Sequence, residues 1–79
     1  YTAGQIPLDP ATMKVVEGGV TEQTQRVMQN LEAILAASGA SFANVVKTTC
    51  FLTNLDDFPA FNAVYGTRFR QNAPARSTV

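Results

Sequence analysis

Val20, Thr24, Val27, Met28, Leu31, Ile34 and Leu35 recur at steps of three and four residues, a spacing that puts them all on one face of an α-helix. Glu22, Gln23, Arg26, Asn30 and Glu32 fall on the other faces. Thr21 or Gly19 can cap the first turn, Glu22 suits the positive end of the helix dipole, and Gly39 stands where a left-handed C-cap belongs. The pattern predicts one amphipathic helix over about Val20–Ser38. A helix with a single greasy face must bury it against another layer, so the rest of the chain has to supply one.

The next segment has a different rhythm. Val45-Val46-Lys47-Thr48-Thr49-Cys50-Phe51-Leu52-Thr53 is rich in β-branched residues and predicts a strand, with Val46, Cys50 and Leu52 on one face and Lys47 and Thr49 on the other. Asn54-Leu55-Asp56-Asp57 is a turn whose aspartates can cap a second helix. Pro59 falls in the first turn of that helix, where its missing N–H costs nothing. Phe58, Phe61, Val64, Tyr65 and Phe69 form its apolar stripe, which ends near Arg70. Upstream, Tyr1–Ile6 reads as the end of a strand and Pro7–Thr12 as a turn forced by two prolines. Lys14–Val16 is a short extended piece closed by Gly18-Gly19. After the loop Gln71–Pro74, Arg76–Val79 begins another strand. The order predicts a two-layer sandwich with both helices on one side of a sheet. The strands are too few to cover those helices and would leave bare edges, so the domain is expected to continue beyond both ends.

Seventy-nine residues hold one domain, 1–79, with a core that is marginal on its own. Small folds add disulfides, metals or partner subunits. Cys50 is the only cysteine and there is no histidine, so neither a disulfide nor a closed zinc site can form. A homo-oligomer is therefore expected. Six basic residues balance six acidic ones, with no run of like charge, which argues against tight nucleic-acid binding. The longest uncharged stretch, Ala33–Val46, is interrupted by Ser38, Gly39, Ser41 and Asn44 and spans no bilayer. A reducing cytosol or an organelle matrix fits this cysteine usage.

Five stretches in one order carry a resemblance. Gly4-Gln5-Ile6-Pro7-Leu8-Asp9-Pro10, Glu22-Gln23-Thr24 with Asn30-Leu31, Val45–Thr49 followed by Phe51-Leu52, Asp57-Phe58 with Asn62 and Val64-Tyr65, and Pro74-Ala75-Arg76-Ser77 match the motifs of the Rid (reactive-intermediate deaminase, YjgF-like) family. Each is weak alone; together they run in register over nearly the whole chain. The resemblance implies a chorismate-mutase-like α+β fold, incomplete here at both termini. It also implies a homotrimer with sites in the clefts between subunits, and no cofactor or metal of its own. It gives Arg76 the substrate carboxylate and puts Gly4, Asn62 and Thr78 at the substrate. A planar guanidinium grips a carboxylate through two parallel hydrogen bonds, which lysine cannot copy.

Each residue also has a plainer reading. Arg76 at a strand start can be a solvated surface charge, and Asn62 a helix-surface amide. Gly4 can simply permit a kink. Tyr65 and Phe69 are core before they are pocket. Cys50 sits mid-strand with no histidine to activate it, which favours a buried structural thiol. The sequence departs from the family pattern at Ala3, where active members carry serine, and at Thr78, a position often held by cysteine. Met13 replaces the glycine usual in the Asp-Pro turn, at a cost of ~1 kcal/mol if that site is left-handed. The family's N-terminal tyrosine and its water-orienting C-terminal glutamate fall outside these residues.

The implied activity is hydrolysis of 2-iminobutanoate and 2-iminopropanoate to 2-oxo acids and ammonia. Three alternatives stand beside it: a trimer that captures small carboxylates through Arg76 without turnover, a ribonuclease-like member, and a related deaminase or amidohydrolase on a larger substrate. Neutral charge and the lack of histidine count against RNA cleavage, which needs acid–base groups and phosphate contacts.

Overall fold

The sequence folds, in a computed structural model covering residues 1–79, as two helices packed on each other and against short strands. The strands are β1 (Leu8–Asp9), β2 (Lys14–Val15), β3 (Lys47–Cys50) and β4 (Ala75–Thr78). The helices are α1 (Val20–Ala37) and α2 (Phe58–Arg68), with 3₁₀ turns at Phe42–Asn44 and Leu55–Asp57. This is the α+β class anticipated. The strands do not form one sheet, however: β1 pairs β2 antiparallel, and β3 separately pairs β4 in parallel. A strand–helix–strand connection through α2 is what lets β3 and β4 run side by side in the same direction.

Helix α1 begins and ends as its residues dictate. Gly19 is the N-cap, and its N–H donates to Glu22 Oε2 at 2.9 Å, so one acid side chain satisfies an orphan donor and faces the dipole. At the other end Gly39 takes φ +77°. Its N–H donates to the Ala36 carbonyl at 3.0 Å, and the Ala40 N–H reaches back to Leu35 at 2.8 Å, the double bond of a Schellman stop. In the turn before α2, Asn54 Oδ1 accepts from the Asp56 N–H at 2.9 Å. That amide caps the 3₁₀ turn Leu55–Asp57, while Asp57 stands at the N-cap of α2 without a side-chain cap bond.

Met28, Phe61 and Tyr65 form the buried centre, and Leu31, Phe42, Leu52, Phe58 and Phe69 pack around them. Thr24, also buried, satisfies its hydroxyl by donating to the Val20 carbonyl at 2.6 Å. Both helical stripes thus face inward as their spacing required. Truncating either buried ring to alanine would cost about 3–5 kcal/mol. No helix is long and apolar enough to cross a membrane.

Three local expectations need correction. Tyr1–Ile6 is not a strand: nothing pairs with it, and extended backbone without a partner makes no ladder. Its C-terminal end is instead tied to α1 by Asn30, whose Nδ2 donates to the Leu8 carbonyl at 2.9 Å and to Ile6 at 3.4 Å. Asn30 therefore works as an inter-element tether rather than as solvated surface. Leu8–Asp9, inside the expected turn, is itself the short strand β1. The third correction is Val46, which shares a parity with half-buried Thr48 and Cys50 yet is 81% exposed. It stands one residue ahead of the first ladder pair, Lys47↔Ala75, where no side chain covers it.

Met13, after the turn, holds a left-handed φ of +59°. Its side chain is 67% exposed and gains little there by packing. Met13→Gly should relieve that backbone strain and raise stability by about 0.5–1 kcal/mol in urea unfolding. Loss of stability would show that the methionine side chain contributes more than its conformation costs.

Candidate functional site

Strand β4 alternates, so Ala75 and Ser77 point outward while Arg76 and Thr78 are half-buried. Register places Thr48 beside Arg76 and Cys50 beside Thr78. On α2, Phe58, Asn62 and Tyr65 lie at steps of four and three and therefore share a face. The Arg76 guanidinium meets that face. Its Cζ lies 4.6 Å from the Tyr65 ring centroid and 4.9 Å from that of Phe58, and Nη1 donates to Asn62 Oδ1 at 2.6 Å. Two rings within cation–π distance and an amide hydrogen bond at one edge restrain the fork.

Tyr65 is fixed in turn. Its hydroxyl and Thr48 Oγ1 form a hydrogen bond 2.7 Å long in which either can donate, which ties the ring to the strand paired with β4. Arg76 itself has no carboxylate within ion-pair reach; the single salt bridge of the chain joins Arg68 to Glu32 at 2.6 Å on the surface. A half-buried cation with one of its five N–H donors engaged and no counter-charge is set up to accept an anion with paired oxygens.

Beside it opens a cavity of about 240 Å³. Arg76 and Asn62 supply its polar side, Tyr65, Phe69 and Pro74 its apolar walls, and Gly66 and Ala73 complete the rim. Of the four residues expected at the substrate, the fold brings Arg76 and Asn62 into direct contact. Thr78 shares the inward face of β4, its hydroxyl buried without a hydrogen-bond partner, but it does not line this cavity. Gly4 is exposed in the N-terminal segment, with open space where a Cβ would stand, and is not among the lining residues. Cys50 is half-buried against the core, as a structural thiol should be.

Reading the stripes alone undervalues Phe58, Tyr65 and Thr48. The stripe makes Phe58 and Tyr65 core, and Tyr65 is both: one face packs inward while the guanidinium takes another part of the ring. The usable signal is the shared helical face of Phe58, Asn62 and Tyr65, which presents an amide between two rings.

The sequence matches the protein family described as Endoribonuclease L-PSP over residues 1–79. It is 57% identical to protein DfrA of Myxococcus xanthus over 79 residues, covering 100% of this chain and 60% of that protein. It is 46% identical to the 2-iminobutanoate/2-iminopropanoate deaminase of Rattus norvegicus over 77 residues, covering 98% of this chain and 56% of that enzyme. Among solved structures it superposes on Escherichia coli TdcF with bound serine at a TM-score of 0.88 and 36% identity, covering 99% of this chain and 63% of that one. The chain thus spans about three-fifths of the length of the proteins it matches.

The Thr48–Tyr65 bond can be tested directly. Thr48→Val keeps the shape and strand preference but leaves a buried phenol unpaired, and should destabilise the fold by about 1–3 kcal/mol in urea unfolding. An unchanged midpoint would mean that the phenol is solvated and that the bond does not hold the ring.

Proposed function

We propose that this chain, which belongs to the Endoribonuclease L-PSP family, the Rid family its motifs resemble, forms the carboxylate-gripping part of a deaminase for short 2-imino acids. The observation that carries this reading is the half-buried, restrained Arg76 with no acidic partner. A 2-imino acid presents a planar carboxylate conjugated with its imine. Clamping the carboxylate in the guanidinium plane fixes where the imine carbon lies, and a water that adds there meets it in one orientation. The water oxygen forms the new bond to carbon, the carbon–nitrogen bond breaks, and nitrogen leaves as ammonia carrying its own hydrogen and the two protons of the water, leaving the 2-oxo acid. Much of the rate enhancement is then positioning, supplied by Arg76 through Asn62 and the two rings. Support comes also from the rat relative named for this activity and from the relative crystallised with serine, itself an α-carboxylate.

The same reading takes the working unit to be a homotrimer with sites at subunit clefts, in a cytosolic setting. Parallel strands are usually covered on both faces, yet Phe51 next to the β3–β4 pair is 79% exposed. Light scattering on the full-length protein at micromolar concentration should give three times the chain mass. A stable monomer removes the inter-subunit site.

Arg76→Ala should lower activity toward 2-iminobutanoate by at least ~10²-fold, combining a lost charged hydrogen bond with lost positioning. Arg76→Lys should rescue little. The assay generates the imine in situ with a threonine dehydratase and follows release of 2-oxobutanoate. Full rates in the alanine variant would make Arg76 a surface charge. Binding of 2-oxo acids that depends on Arg76 without turnover, even in the unsubstituted protein, would favour a carboxylate-capturing module and draw attention to Ala3. Cleavage of RNA that survives Arg76→Ala would replace the deaminase reading altogether.

A further inference from the structure

Gly66 lies in the last turn of α2, and neither backbone nor packing explains a glycine there. The glycines with positive φ are Gly18 and Gly39, so Gly66 keeps an ordinary helical conformation that any residue can adopt. A Cβ added at Gly66 would have no heavy atom within 4 Å, so no neighbour approaches closely enough to forbid one. Glycine is among the poorest helix formers, because its unfolded chain has the most freedom to lose. The fold therefore gives up stability at this position and receives nothing visible in return.

Its location supplies a reason. Gly66 is one helical turn beyond Asn62, the residue that holds Arg76, and it borders the same cavity. Along that turn the wall changes from a hydrogen-bonding amide to bare backbone, with Phe69 and Pro74 as apolar neighbours. The pocket, about 240 Å³ and open to solvent, is roomier than four-carbon 2-iminobutanoate requires, since even an enclosed cavity of ~150 Å³ holds six-carbon benzene. With its carboxylate on Arg76, a short acid leaves part of this space empty, and any side chain at Gly66 would project into open space beside it.

We propose that Gly66 is a specificity-determining residue: it leaves room for the apolar tail of 2-oxo or 2-imino acids longer than four carbons. This rests on the reading of Arg76 as the carboxylate clamp. Gly66 touches the tail alone and does not act on the reacting carbon.

The test separates the two ideas. Dissociation constants for 2-oxobutanoate and 2-oxohexanoate are measured by calorimetry on the full-length protein and on Gly66→Ala and Gly66→Leu. The ratio of the longer acid's constant to the shorter one's should rise modestly in the alanine variant. In the leucine variant it should rise by about 10-fold, the equivalent of two methylene groups excluded from burial. Gly66→Ala should at the same time raise Tm by about 2–5 °C, so that stability and long-chain affinity move in opposite directions. Binding of both acids with an unchanged ratio overturns the role of Gly66 and leaves the Arg76 reading intact. Equal loss for both acids with a changed oligomeric state also overturns it, and assigns Gly66 to a subunit contact. Failure of the unsubstituted protein to bind either acid sinks both proposals.

Discussion

Five aromatic rings in successive contact run along one side of α2. Phe58 meets Phe61 at 6.1 Å between centroids, Phe61 meets Tyr65 at 5.5 Å, Tyr65 meets Phe69 at 4.7 Å, and Phe69 packs edge-on against Phe42 at 5.2 Å. Rings of this size bury more area per residue than any aliphatic side chain, and offset or edge-on pairs add to that burial. In a chain where only Met28, Phe61, Tyr65 and Thr24 are buried, the row is most of the core. It gives α1 a surface to lie on.

The row also makes the site. Phe58 and Tyr65 are core residues whose ring faces carry the Arg76 guanidinium. The two cation–π contacts, with Arg76 still half-exposed, offset part of the desolvation cost of holding a cation with no carboxylate beside it. Asn62 engages one edge with a neutral acceptor, so the charge is oriented without being neutralised. A carboxylate in the place of Asn62 would pair with the arginine and compete with any incoming acid. Fold and site thus depend on the same side chains, and a change that loosens the rings disturbs both.

Away from the row the chain is thin. Its outward β3–β4 surface carries polar Lys47, Thr49 and Ser77, with Lys47 Nζ donating to Ser77 Oγ at 2.7 Å, but Phe51, Val46 and Val79 are exposed around them. Mixed faces of this kind suit coverage by other protein rather than by water alone. The N-terminal hairpin is held by a few hydrogen bonds: the Asn30 tether, Asp9 Oδ1 accepting from the Ala11 N–H at 2.8 Å, and Val16 donating to Pro7 at 2.8 Å. It carries the left-handed Met13 without a compensating contact in sight.

The sequence by itself determined both helices and their inward faces, because a helical period repeated over several turns leaves one face to bury. It determined the Gly39 stop, which follows from local backbone sterics, and through the Pro74–Ser77 motif it singled out Arg76. Tertiary structure decided what depends on distant partners. Tyr1–Ile6 has strand character but no edge to pair with, and Val46 has the right parity but lies beyond cover. Asn30 looks like surface until Leu8 arrives to accept its hydrogen bond. What surrounds Arg76 could not be read from its neighbours in sequence. Its guanidinium is restrained by Asn62, Phe58 and Tyr65, which reach it across a helix–strand contact that exists only once the aromatic row has packed.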